Sequence, residues 1–425
     1  MTLKLEAPEN PNYAAVVVRL RQLVPLPGLD NLVGAPLLGF QALISKDHQV
    51  GELGIVLPPE CQLSDEMAKA NNLYRHPERN ADQSATGYLE DSRRVRAISL
   101  RKHRSDCLWM PLASLAWTGV DVSALKEGDT FDTLAGKEVC RKYVVRSRVA
   151  GHVQPKAEPK FNRVDPRLFP LHVDTANYFR CADQIPQDAI VSVTQKVHGT
   201  SIRLAHIPVR RKLSWRDRLA KRLGVAVAST EYAHVYGSRR VTKDANNPDQ
   251  AHYYGEDIWS TEGRKLDAVV PEDYIVFGEL IGWTSDGAPI QKDYTYQLPV
   301  GTCQLFVYRV AHVNPRGIAV DLSWEQVKLF CAQNGLEHVR ELWTGRHSEL
   351  EPSQFLDKRF AEDGWPDAVP LDKGKGIVDE GICVRMEGMT PLVLKAKSPI
   401  FLAHETKALD AGTVDIEEDP EAVLA

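Results

Sequence analysis

Between residues 191 and 399 six short apolar runs each end on a lysine, an acid or a turn. They are VSVTQKVHGTSIRL (191–204), VYGSRR (235–240), YIVFGELIGW (274–283), CQLFVYRV (303–310), DEGICVRME (379–387) and LVLKAKSP (392–399). Apolar runs of strand length, bounded by Gly, Ser and Pro, read as buried strands. The chain is therefore constrained to sheets whose chemistry-bearing residues lie at strand ends.

Taken one at a time, these strings are ordinary. A Gly after a polar residue is a common turn signal. FGE reads as a buried strand ending in a surface acid, and LKAKS as an edge strand whose lysines discourage aggregation. In this order, however, the six resemble the signature of the covalent nucleotidyltransferases, the polynucleotide ligases and capping enzymes that form a lysine–nucleotide bond. The resemblance implies an ATP-dependent RNA ligase, and within that class it is similar to the Deinococcus-type RNA ligase group.

The resemblance implies a role for each residue, and each role is chemically reasonable. Lys196 would attack the α-phosphate of ATP, expel pyrophosphate and hold AMP through a phosphoramide bond. A protonated amine is no nucleophile, so such a lysine needs desolvation or a positive field; Lys395 and Lys397, or a bound metal, are the candidate sources. Gly199 would let the backbone approach the nucleotide. His198 stands where most of the superfamily has Asp, a departure that leans away from DNA ligase; it would orient the nucleotide or fill the turn. Glu279 would accept from the ribose or touch the metal, and Phe306 would stack on adenine. Glu380 would hold magnesium or manganese, carboxylates being natural ligands for hard cations. Lys395 and Lys397 alternate in a strand, so both can face the phosphates. Arg239 and, more weakly, Arg203 are phosphate or RNA candidates, with a surface strand charge the plain reading of Arg239.

The expected fold class is α+β: an antiparallel-sheet nucleotidyltransferase domain preceded by an OB-like β-barrel domain. Strand-like runs at 14–20, 39–44, 51–57, 94–100, 107–112 and 140–146 suggest a small barrel over residues 1–150. A Pro-rich, charged linker follows over 151–168, then the nucleotidyltransferase domain over 169–409 and an acidic mobile tail over 410–425. Helices are expected at SWRDRLAKRL, with Ser214 as N-cap and Gly224 past its end, and at LSWEQVKLFCAQNG (322–335). Capping enzymes and classical DNA ligases carry a further barrel after the last lysine motif, and here only Ser398 to Ala425 follows.

The formal net charge of −5 gives no global attraction to nucleic acid, so RNA binding must rest on local basic patches. The segments 92–104 and 209–224 are the two candidates; either reads equally as a solvated face. Seven cysteines without a CxxC pair argue against disulfides and structural zinc. With no signal peptide or membrane-spanning run in view, the expectation is a cytoplasmic enzyme. Its partner is RNA with broken or nicked ends, RNA/DNA hybrid duplexes being a further acceptor. DNA ligase, capping guanylyltransferase and a non-catalytic RNA-end-binding protein are the alternatives.

Overall fold

The structure, a computed structural model, describes residues 5–144, 163–172, 174–243, 254–374 and 376–411. Most of the expected linker (151–162) and nearly all of the expected tail (412–425) lie outside these residues. The chain divides into two compact units. One comprises Met1–Val145, Ala176–Ala182 and Ala396–Val414; the other Arg146–Thr175, Asp183–Lys395 and Asp415–Ala425.

The first unit is built from short antiparallel strands. A four-stranded sheet runs Thr130–Phe131, Ala15–Arg19, Leu53–Leu57, Leu108–Pro111, and a three-stranded one Val24–Pro25, Leu32–Leu37, Phe40–Ser45. Alternation along AVVVR feeds two cores at once, because successive side chains leave opposite faces. Ala15 and Val17 join Ile55, Leu57 and Phe131 on one side. Val16 and Val18 join Val56 and Trp109 on the other. The helix Pro399–Asp410, capped by Ser398, belongs to this unit. Thr406 of that helix donates to Glu60 Oε1 at 2.7 Å, and Arg94 bonds Glu60 at 3.1 Å and also Asp410.

The second unit has two antiparallel sheets. The first places the lysine strand Ile190–Lys196 between Gly381–Met386 and Glu341–Arg346, with Leu392–Lys397 beyond Gly381–Met386. The second runs Thr230–Ser238, Thr200–Arg210, Tyr274–Gly282, Cys303–Val313, Ala319–Asp321. Ala205, Ile207, Val209, Ile275 and Phe277 lie on one face of it and form a core with Phe169, Ala311 and Val313. Each Val, Ile or Phe side chain fully buried there contributes about 1.5–3 kcal/mol.

The two expected helices form at Trp215–Arg222 and Trp324–Asn334. Each starts on a capping box, from Ser214 and Ser323, which satisfies otherwise unbonded backbone N–H groups. Gly224 (φ +81°) and Gly335 (φ +65°) follow in the left-handed region. Among the described residues no helix is long and apolar enough to cross a membrane.

Candidate active site

The lysine strand and the long strand Thr200–Arg210 are joined by the turn Val197–Gly199, so one short segment carries the chain from one sheet to the other. Lys196 ends the lysine strand opposite Gly381. Gly381 takes φ +143°, a conformation that disfavours a Cβ, and Glu380 precedes it. Lys196 Nζ donates to Glu380 Oε2 at 2.7 Å, with Glu380 only 2% exposed. His198 Nδ1 is 3.7 Å from the same carboxylate.

Across the turn, register assembles the remaining groups. Ser201 pairs with Glu279, and Glu279 with Phe306. Directly paired residues point to the same face, so the three form a row at the end of the sheet whose other end is the core. Glu279 accepts from Gly199 N and Ser201 Oγ, each at 3.1 Å. Burial pushes its carboxyl up to about 7, against the opposing pull of Lys196 and Arg239. Glu380 contributes to that rise, as a nearby like charge must. Phe306 is 3% exposed, and the Arg340 guanidinium lies 5.9 Å from its ring centroid.

Gly199 is required by a close approach other than the expected one. A Cβ there would sit 2.1 Å from the Leu280 carbonyl oxygen, so the neighbouring strand already demands glycine.

Several residues that sequence reasoning missed complete the site. The Tyr296 hydroxyl accepts from His198 N, and the Tyr294 ring meets the His198 ring edge-on at 5.1 Å. Gln291 donates to Gly199 O at 2.8 Å. These three lie on one loop with left-handed backbone at Asp293, Tyr296 and Gln297. Asp372 pins that loop by accepting from Thr295 and Gln297 backbone N–H groups. Behind the lysine strand, Gln195 donates to Asp379 at 2.7 Å, and burial pushes Asp379 up to about 6. The tyrosines in YTYQ and the acid beside Glu380 were visible in the sequence, but nothing local marked them as neighbours of Lys196.

Arg239 is ion-paired with Asp174, another residue the sequence did not single out. Burial pushes the Asp174 carboxyl up, but Arg239, helped by Lys395 and Arg240, holds it below the usual value. Burial raises the Cys383 thiol, and Lys196 and Lys395 pull it down, which brings Lys395 into the same neighbourhood as Lys196. Lys397 follows Lys395 by two residues and is ion-paired with Glu405 at 2.7 Å.

One expectation is corrected and a second is narrowed. Arg203 does not face a phosphate site: it is 0% exposed, in register with Phe277, and donates to Ser238 O at 2.7 Å and Pro170 O at 2.8 Å. The strand Thr200–Arg210 is buried on both faces over its first half, so Arg203 is a core residue whose charge is met by carbonyls and the Phe169 ring. In the segment 92–104, Arg94 is 3% exposed, and Arg93 and Arg96 lie near Asp65 and Asp410. Those three arginines therefore serve internal ion pairs rather than an open basic surface.

Two carboxylates, Glu279 and Glu380, thus flank one lysine. Among the described residues no cluster of three or more His, Cys, Asp or Glu could hold a metal by protein ligands alone. Two carboxylates suit a magnesium-like ion, which ordinarily takes one or two of them and completes its shell with water and substrate phosphates.

Residues 189–400 match the family described as RNA ligase. No curated protein matches the sequence. Among solved structures, an RNA ligase of Naegleria gruberi with pyrophosphate aligns at a TM-score of 0.55 and 14% identity, covering 93% of this chain and 99% of that one. A variant of that ligase with ATP and manganese aligns at 0.54 and 14%, covering 94% and 99%. At such identity the likeness is one of fold, a mixed α+β architecture with antiparallel sheets. The segment that matches the RNA ligase family contains Lys196, Glu279, Phe306, Glu380 and Lys395.

Proposed function

We propose that this protein is an ATP-dependent RNA ligase that works through a lysyl-AMP intermediate on Lys196 and seals 3′-hydroxyl/5′-phosphate breaks in RNA repair. The observation that carries the reading is Lys196 Nζ at 2.7 Å from the buried Glu380, beside the Ser201–Glu279–Phe306 row. The ATP and manganese in the Naegleria structure support the choice of nucleotide and ion.

In the first step the Lys196 nitrogen attacks the α-phosphorus of ATP; the N–P bond forms and pyrophosphate leaves. An oxygen of the RNA 5′-phosphate then attacks the same phosphorus, and lysine leaves. Finally the 3′-hydroxyl attacks the activated 5′-phosphate, and AMP departs. Activation is needed because a phosphomonoester lacks a good leaving group.

Glu380 holds the Lys196 ammonium in the free enzyme, and the amine becomes nucleophilic once its proton is given up and that carboxylate is engaged elsewhere. Glu380 and Glu279 would hold a magnesium or manganese ion, which would supply charge neutralisation at the phosphates. Phe306 offers a face to adenine, while Arg239, Lys395 and Lys397 supply positive charge for the phosphates. His198 keeps the turn in place through its backbone bond to Tyr296. We read the N-terminal unit as an OB-like barrel that engages RNA, in a cytoplasmic enzyme.

Incubating the protein with labelled ATP, GTP or NAD and a divalent ion tests the reading. A covalent adduct from ATP alone, lost in Lys196→Ala, is expected. An adduct from GTP would indicate a capping-type enzyme, and no adduct from any of the three would indicate an end-binding protein.

A further inference from the structure

The strands Thr200–Arg210 and Thr230–Ser238 form a long hairpin whose far end carries the helix Trp215–Arg222. That helix buries none of its residues. It is held by local devices: the Ser214–Asp217 capping box and the Arg211–Asp217 ion pair at 3.3 Å. Trp215, Leu219 and Leu223, spaced by four, share one face and are 68%, 49% and 73% exposed. Arg216 lies over the Trp215 ring at 5.4 Å.

The charge is as unusual as the exposure. From Arg210 to Arg222 there are seven basic residues and one acid, in a chain of net charge −5. Arg216, Lys221 and Arg222 have no ion pair among the described residues. Arg218 and Arg222 stand four apart, a like-charge spacing that weakens a helix. A helix that adds nothing to a core, exposes a tryptophan and carries mutually repelling cations is explained by a polyanionic ligand.

We infer that the helix Trp215–Arg222 is a docking element for the phosphate backbone of the RNA flanking the break. This inference rests on the RNA ligase reading and extends it to a second contact away from the chemistry. The strand Thr200–Arg210 leads from the lysine turn toward the helix, and at about 3.4 Å per residue its length is on the order of 30 Å. Along one nucleic-acid strand that is on the order of ten phosphates. The cations contact backbone, and Trp215 packs on an exposed base or ribose, as aromatic side chains do in RNA recognition. The polyanion the neighbouring site works on is favoured over an anionic membrane, because three apolar residues on two turns make only a small apolar face.

The test compares the full chain with Arg216→Ala/Arg218→Ala/Lys221→Ala/Arg222→Ala and, separately, Trp215→Ser. Binding of labelled nicked RNA duplexes with flanks of roughly six base pairs, too short to reach the helix, and roughly thirty is followed by anisotropy across a salt series. The quadruple variant should bind the long duplex about 10-fold or more weakly, with a log–log salt slope smaller by about 3 to 4. It should bind the short duplex like the wild type and label with ATP at the wild-type rate. Trp215→Ser should weaken long-duplex binding while leaving the salt slope unchanged. Equal long-duplex affinity and slope in the quadruple variant would overturn the inference. So would loss of binding to phosphatidylserine vesicles with RNA binding intact, which would assign the helix to a membrane. A wild type that binds long RNA through this helix but forms no lysine adduct would instead sink the ligase reading and leave the docking element standing.

Discussion

The Lys196 ammonium donates to a carboxylate, Glu380, that is almost entirely withdrawn from water. A buried carboxylate facing one lysine has a large stake in that partner. Lys196→Ala should therefore abolish label from ATP and overall joining, yet leave sealing of a pre-adenylylated end measurable. Glu380→Ala should cut labelling by about 10–100-fold. Near-wild-type labelling of Glu380→Ala throughout a magnesium or manganese titration would argue against any metal role for it.

Glu279 gives a pH signature. Burial raises its carboxyl from 4.5 to about 7 in the folded protein. A group with a raised folded pKa binds its proton more tightly in the native state. Its contribution to stability is complete below the unfolded value and is lost as pH rises from about 4.5 through about 7. Glu279→Gln cannot ionise, so its Tm relative to wild type should climb between about pH 5 and about pH 8.5, while adenylylation is crippled. A Tm difference that is flat or falling with pH would contradict the assignment.

Gly199 should not tolerate a methyl group. With the added Cβ 2.1 Å from Leu280 O, either the turn or the strand must move. Gly199→Ala is expected to cost about 1–3 kcal/mol, as overpacking does, and to slow adenylylation by displacing Lys196 and His198. Urea unfolding and single-turnover labelling measure the two effects; unchanged labelling would show that the turn has slack.

In the first unit, Arg94 joins Glu60 and Asp410 from a nearly dry position. Arg94→Met should destabilise the protein by about 3–5 kcal/mol, because it leaves Glu60 buried without its cation. Burial already raises Glu60 to about 7. Adding Glu60→Gln to Arg94→Met should therefore restore part of the loss at about pH 8. Chemical denaturation of both variants is the measurement, and a double variant no more stable than the single one would refute this account.

The 3′-hydroxyl strand is expected to be read as RNA, since the 2′-hydroxyl both donates and accepts hydrogen bonds. Nicked duplexes that are ribo or deoxy only at the terminal 3′-hydroxyl side should differ in sealing rate far more than those varied on the 5′-phosphate side. An all-DNA nick joined as fast as the RNA-terminated one would make the protein a DNA ligase in practice.

The neighbours Lys196, Glu279, Phe306 and Glu380 were legible only through the resemblance of the ordered strings, since each run alone reads as an ordinary strand, and strand register is what places them near one another. The helices at 215–222 and 324–334 were legible from their caps. Arg203 misled because both faces of its strand are buried over that stretch, so alternation carried no inside-or-outside signal. Arg94 misled for a related reason: a basic run looks solvated until its acids, Glu60 and Asp410, arrive from far along the chain. The loop of Gln291, Tyr294 and Tyr296 was hidden because Asp372, more than seventy positions away, sets its backbone. Pairings at that separation leave no periodicity for a local reading to find.

The helix Pro399–Asp410 follows directly on the strand of Lys395 and Lys397, yet its packing partners were translated hundreds of residues earlier. The N-terminal unit is thus a discontinuous one, completed only after the whole second sheet system has been synthesised. No single cut can deliver it whole: a fragment ending near residue 145 lacks the helix that meets Glu60 and Arg94, and a fragment beginning near residue 163 carries that helix with its buried face stripped.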